Sequence, residues 1–127
     1  MSLKNKKTYM IHKHNASHLH YDLRLEFNKV LKSWAIPKQP PRIKNLKRLA
    51  IEVEDHPLSY ATFEGTIPEG NYGAGKVEIW DNGTYELIEK NKDSIVVEIN
   101  GKVLKGIYCL VRTKFQGKDN NWIFFKK

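Results

Sequence analysis

An antiparallel all-β domain is what this sequence predicts, on three observations. Apolar residues recur with period two rather than 3.6. Asn-Gly occurs at Asn82-Gly83 and at Asn100-Gly101, each time between runs of strand-forming residues. The chain has 127 residues, 40% of them hydrophobic and 11% aromatic, which suffices for one packed core but not for two. A sheet with this many strands closes into a barrel or folds into a sandwich, because open edges invite aggregation.

The elements follow in chain order. Residues 1–8 read as a flexible basic arm and 9–127 as a single domain. Residues 19–27 alternate, with Leu19, Tyr21, Leu23, Leu25 and Phe27 on one face and His20, Asp22, Arg24 and Glu26 on the other. KVLKSWAIP (29–37) is a further strand, closed by Pro37, and KQPPRIKNLK (38–47) a Pro-bearing basic loop. Residues 50–56 alternate again, setting Ile51 and Val53 against Glu52, Glu54 and His56. GTIPEGNYGAGK (65–76) reads as an irregular loop. It is not a phosphate-cradling loop of the Walker type, since Val77 follows Lys76 and no helical pattern follows. KVEIW (76–80) and TYELIE (84–89) flank a hairpin turn at DNG, SIVVEIN (94–100) and KVLKGIYCLV (102–111) share the second Asn-Gly, and NWIFFKK (121–127) is the last strand. Trp34, Trp80 and Trp122 lie in strand-like runs, so core packing is their default role, with base stacking the alternative for one of them.

Lysine and arginine exceed the acidic residues by 22 to 14, a net +8 that favours an anionic partner, nucleic acid ahead of a membrane surface. The single cysteine, Cys109, excludes an intramolecular disulfide and sits in the apolar run GIYCLV as a buried thiol. The basic start is not followed by an apolar stretch of signal-peptide length, and no run approaches the roughly 18 apolar residues of a membrane span. The expectation is a soluble cytoplasmic protein in a reducing compartment, with no membrane association.

HNASHLHYDLRLEF (14–27) carries the chemistry. Same-face side chains on a strand stand about 6.5–7 Å apart, so His20 and Asp22 can converge on one ion. His14 has the same parity, and a strand pair or a bend at 15–17 brings it to the same place. Two imidazoles and a carboxylate leave coordination positions open, as in catalytic rather than structural sites, and mixed N/O ligands suit manganese, zinc or iron better than magnesium or calcium. His18 shares the parity, but a bend before the strand turns it away. The alternative reading is a half-exposed face that meets water or nucleic acid. Glu54 and His56 form a second polar face, where His56 at a strand end is placed to act as an acid or an anion contact, or is simply a surface imidazole. Lys38 and Arg48 read singly as solvated cations; with Arg24 they could form an anion clamp.

HKHNASHLHYDLRLE, LKSWAIPK and EVEDHPLSYATFEGTIPEGNYGAGKVEIWDNGTYE together resemble the 3′-phosphoesterase domain of the ATP-dependent DNA ligases of bacterial non-homologous end joining. The resemblance runs from about Tyr9 to Lys127. It implies a compact β-barrel with short helical segments and a manganese-dependent site, with zinc or cobalt as substitutes. It implies trimming of DNA primer-template 3′ ends in two steps, a phosphodiesterase step that removes a terminal ribonucleoside and a phosphomonoesterase step that leaves a 3′-OH. By motif position His14, His20 and Asp22 are the metal ligands. Arg24, Lys38, Arg48 and His56 contact the scissile phosphate or serve the leaving group, Glu54 supports them, and Tyr60 adds a hydroxyl. The resemblance further implies a nucleoid-associated prokaryotic monomer served by a separate ligase and polymerase in trans. Two departures stand out: bacterial members have a longer arm before the barrel, and His12 stands where the family often has Gln. The rival functions are a metal-free nucleic-acid-binding β-barrel, which explains the charge but not the His/Asp/Arg face, and a metal phosphodiesterase for another nucleotide.

Overall fold

The structure, a computed structural model, describes residues 6–71, 73–114 and 117–127. Its strands are β1 (Lys6–Asn15), β2 (Leu19–Phe27), β3 (Val30–Ile36), β4 (Arg48–Pro57), β5 (Gly65–Ile67), β6 (Gly75–Lys90), β7 (Ser94–Gly101), β8 (Lys105–Arg112) and β9 (Asn121–Lys126), with a 3-10 helix, Leu58–Thr62, after β4. The order β1-β2-β3-β4-β9-β8-β7-β6, with β6 pairing back onto β1, closes an eight-stranded antiparallel barrel. The short β5 pairs with the first residues of β6. The expected barrel is therefore the observed one, and its closure leaves no long open edge.

Period two explains the core. Tyr21, Leu23 and Leu25 of β2 point into the lumen, where they meet Trp34 and Ile36 of β3, Val97 and Ile99 of β7, Tyr108 and Leu110 of β8, and Trp122 and Phe124 of β9. Trp34 and Trp122 meet edge to face, their ring centroids 5.9 Å apart. Cys109 is a buried thiol, as its surroundings predict.

Three elements differ from expectation. β1 is a strand from Lys6 onward, so Lys6, Lys7 and Thr8 of the expected arm pair with β6; residues 1–5 lie outside the described residues. Tyr9, Met10, Ile11 and His12 are buried in succession because this strand is covered on both faces, which erases the alternation that betrays a strand. In the glycine-rich stretch, Gly65–Ile67 forms β5 rather than loop.

The third difference is DNG. It is not a turn: β6 runs unbroken through it for 16 residues. A bulge at Trp80 shifts the register against β1, so that Ile11 faces Asp81 and His12 faces Ile79. Asp81, 2% exposed, then accepts from the Tyr9 hydroxyl at 2.7 Å and from the backbone N–H groups of Lys102, Val103 and Leu104 at 2.8–2.9 Å, which ties down the β7–β8 turn. Gly83 is needed for closeness: a Cβ there would stand 2.2 Å from the Asn100 carbonyl oxygen. The turn-forming residues serve a strand-to-turn contact across the sheet instead of a turn of their own.

Replacing Asp81 by Ala leaves buried N–H groups and a buried hydroxyl without their acceptor. The expected loss is about 3–5 kcal/mol of unfolding free energy, read as a lowered urea midpoint.

Candidate active site

The site lies on the outer wall of the barrel. The alternation that sends Leu23 and Leu25 inward sends His20, Asp22 and Arg24 outward, yet this face does not meet water: Asp22 is 6% and Arg24 3% exposed. Neighbouring strands bring the rest. His14 of β1 pairs opposite His20 and His12 opposite Asp22, while Ser33 of β3 pairs opposite Arg24 and His56 of β4 opposite Leu31. Tyr60, Phe63, Ile67 and Gly73, all between β4 and β6, lie against this face as a strap. Together they bound a cleft of about 460 Å³, lined among others by His14, His20, Asp22, Arg24, Glu54, His56 and Tyr60.

At one end His14, His20 and Asp22 place one ligand atom each within 4.8 Å of the others. His14 Nδ1 lies 3.7 Å from Asp22 Oδ2, and His20 Nε2 lies 3.3 Å from Asp22 Oδ1. The opposite ring nitrogens are occupied: His14 Nε2 donates to the Gly73 carbonyl at 2.9 Å and His20 Nδ1 to the His18 carbonyl at 3.2 Å. Backbone carbonyls thus fix both tautomers and leave a lone pair on each ring facing the carboxylate, the arrangement in which imidazoles hold a metal. Without a cation, the gap favours a proton on His20. The hydrogen bond to Asp22 raises the His20 pKa above 6.5, against the effect of burial. Burial pushes the Asp22 pKa up, but the His20 hydrogen bond and the charges of Arg24, His20 and His14 outweigh it and hold the carboxyl below its ordinary range.

Arg24 occupies the middle. Its Nε donates to His12 Nδ1 at 3.0 Å, Nη1 to Ser33 Oγ at 2.8 Å and to His56 Nδ1 at 3.1 Å, and Nη2 to Asp22 Oδ2 at 3.4 Å. These partners take four of the five N–H groups of a guanidinium. Tyr60 lies over its face, 5.0 Å from ring centroid to Cζ. His56 Nδ1 is also 3.1 Å from the Glu54 carbonyl, which asks for the opposite tautomer. Arginine can only donate, so Nδ1 accepts and the proton stays on Nε2. Burial, then the Arg24 charge, lowers the His56 pKa. Tyr60 packs against His56 at 4.9 Å and stacks on Phe63 at 4.9 Å, and burial raises its pKa, so its hydroxyl keeps its proton at neutral pH.

Of the residues singled out from the sequence, the cleft gathers His14, His20, Asp22, Arg24, Glu54, His56 and Tyr60. Lys38 and Arg48 stand outside it. Lys38 is exposed just beyond β3, whose Ile36 pairs with Tyr21 at the His20 end, and Arg48 Nε donates to the Gln39 carbonyl at 2.8 Å. His18 is exposed and contributes only its carbonyl. Ser33 and His12 were not assigned from sequence. His12 is fully buried and donates from Nε2 to the Phe63 carbonyl at 2.9 Å; burial, then the Arg24 charge, lowers its pKa to about 4.

A closed β-barrel bearing a His–Asp–Arg centre under a strap on its outer wall is the class that fold and site define. Residues 12–112 match the family described as the DNA Ligase D 3′-phosphoesterase domain, and the chain belongs to that family. It is 46% identical over 123 residues to the multifunctional non-homologous end joining protein LigD of Pseudomonas aeruginosa, covering 93% of this chain and 15% of that protein. It is 50% identical over 110 residues to the multifunctional non-homologous end joining DNA repair protein LigD of Mycobacterium tuberculosis, covering 84% and 14%. To the LigD protein of Mycolicibacterium smegmatis it is 43% identical over 130 residues, covering 94% and 16%. The chain thus spans about 15% of the length of these relatives. No helix among the described residues is long and apolar enough to cross a membrane.

The two histidines titrate oppositely in metal-free protein. An NMR titration is expected to place the His20 midpoint above 6.5 and to show it lowered in Asp22→Asn, with His12 neutral down to about pH 4. His20 therefore contributes stability that is present below pH 6.5 and lost as pH rises through its folded value. The contribution of buried neutral His12 is present above pH 6.5 and lost as pH falls toward about 4. Urea midpoints of wild type and Asp22→Asn across this range check both signs.

Proposed function

We propose that the protein is a metal-dependent phosphoesterase that heals DNA 3′ ends, removing a 3′-phosphate or a terminal ribonucleoside to leave a 3′-OH for end joining. The observation that carries this reading is the convergence, in one cleft, of the His14–His20–Asp22 triangle with the Arg24–His56 pair. The names of the relatives, all end-joining proteins, point to broken DNA ends as the substrate.

His14 Nδ1, His20 Nε2 and an Asp22 oxygen fit a divalent transition metal, manganese first, and His and carboxylate together suit it better than magnesium or calcium. When bound there, such an ion supplies Lewis acidity to a phosphoryl oxygen and lowers the pKa of a water ligand. The protein does the rest. Arg24, with one N–H group left for a ligand, faces charge on a non-bridging oxygen from a buried position, where a hydrogen bond is worth more than in water. His56 offers its Nε2–H to the phosphoryl or departing oxygen; an arriving phosphate anion raises the pKa of this imidazole and so increases its protonated fraction at neutral pH, and in that form the Nδ1–H donates to the Glu54 carbonyl in place of accepting from Arg24. The protonated Tyr60 hydroxyl adds a second donor, and Glu54 lines the same cleft. Lys38 and Arg48, outside the cleft, engage the DNA backbone flanking the reacting phosphate.

The test is a labelled primer-template ending in a 3′-phosphate or in one 3′-ribonucleotide, incubated with manganese or with EDTA and resolved on a gel. Expected are a 3′-OH product from the first, loss of the terminal nucleoside from the second, and neither in EDTA. Asp22→Ala and His20→Ala abolish both products and manganese binding by calorimetry. Arg24→Lys lowers turnover about 100-fold while keeping manganese bound. Undiminished turnover in Asp22→Ala, or product in EDTA, overturns the assignment.

A further inference from the structure

Every polar atom of His12 is committed, although this side chain does not line the cleft. Its Nδ1 accepts from Arg24 Nε at 3.0 Å and its Nε2 donates to the Phe63 carbonyl at 2.9 Å. Its ring meets the Tyr60 ring edge-on at 5.2 Å, Tyr60 stacks on Phe63 at 4.9 Å, and Tyr60 lies 5.0 Å over the Arg24 guanidinium. The contacts form a closed circuit from β2 through β1 to the strap and back. The other guanidinium bonds, to Ser33, His56 and Asp22, all start from Nη1 and Nη2, so the Nε bond is the one that fixes the plane about its near end.

We propose that His12 is a positioning residue: it locks the plane of Arg24 and ties that plane to the main chain of the strap at Phe63, so that the guanidinium and Tyr60 are aimed at the cleft as one unit. This role rests on the reading of Arg24 as a phosphate contact. The chemistry required at position 12 is an acceptor and a donor at the two ends of one flat group. Glutamine offers the same pair, with its carbonyl oxygen toward Arg24 and its amide N–H toward Phe63. Leucine fills comparable space and offers neither.

The experiment compares wild type, His12→Gln and His12→Leu in steady-state removal of a 3′-phosphate with manganese, in manganese calorimetry, and in the 1H–15N NMR signal of the Arg24 Nε–H in metal-free protein. In His12→Leu, kcat and kcat/KM fall together by about 10–100-fold, the range for removing a group that orients a functional side chain. Manganese affinity is unchanged, and the Arg24 Nε–H loses its protection from solvent exchange. His12→Gln restores both kcat and the protected signal. A folded His12→Leu with wild-type kcat and a protected Nε–H overturns the proposal, as does a His12→Gln as slow as His12→Leu. If His12→Leu does not fold, His12→Gln decides alone: loss of the protected signal overturns the role and its retention with near-wild-type kcat sustains it. If wild type removes no phosphate, the reading of the site fails, and the Nε–H signal still decides whether His12 holds Arg24.

Discussion

A guanidinium at 3% exposure has to be satisfied from every side, and the outer wall of this barrel is arranged to do so. Arg24 sits on β2, and its partners come from β1 (His12), β2 itself (Asp22), β3 (Ser33) and β4 (His56). A single misplaced register between these strands would strand a buried charge. The barrel supplies that registration: β1 pairs along its length with both β2 and β6, and closure leaves none of the four strands free to slip. The cost of burying the charge is offset by the Asp22 carboxylate and by a tyrosine face, so the same contacts that make the site tolerable also fix its geometry.

Core and site use opposite faces of the same strands, and this separates stability from chemistry. The lumen is filled by Trp34, Trp122, Tyr108 and their apolar neighbours, none of which reaches the cleft. The turn between β7 and β8 is held from within the barrel by Asp81, one strand away from the histidines. The strap, by contrast, serves the site directly. It lends the Phe63 carbonyl to His12, behind Arg24, and the Gly73 carbonyl to His14, in the triangle, so its main chain orients one imidazole of each.

What was legible in the sequence is what one strand shows by itself. β2 has one face in the lumen and one outside, so period two exposed both the core residues Tyr21, Leu23 and Leu25 and the ligand-type set His20 and Asp22. His14 followed by parity. β1 was illegible because both of its faces are buried, which leaves no alternation between Tyr9 and His12. DNG was misread because the Asn-Gly signal reports only that the backbone can turn there; whether it does depends on Asp81 finding the N–H groups of residues 102–104 across the sheet, a contact with no local signature. Ser33 and His12 are hidden for the same reason, since their importance arises only once β1, β2 and β3 lie side by side. Lys38 and Arg48 show the converse: their charges are plain in the sequence, but a strand end and a loop place them outside the cleft instead of beside Arg24.

The triangle of His14, His20 and Asp22 carries its own argument for a cation. Two ring nitrogens with their partners fixed by the Gly73 and His18 carbonyls turn lone pairs toward a carboxylate, and three acceptors so close repel one another unless something positive stands between them. A proton on His20 is the smallest such charge, and the raised pKa of that imidazole measures the need. A proton satisfies only the His20–Asp22 side and leaves His14 Nδ1 facing Asp22 across 3.7 Å. A divalent ion would serve all three groups at once, and it would have to displace the proton to do so, because the same His20 lone pair would hold either one. The neighbouring guanidinium bears on that charge as well: Asp22 is already shared with Arg24, so its carboxylate stands between the arginine and the position a cation would take and would moderate the repulsion between them.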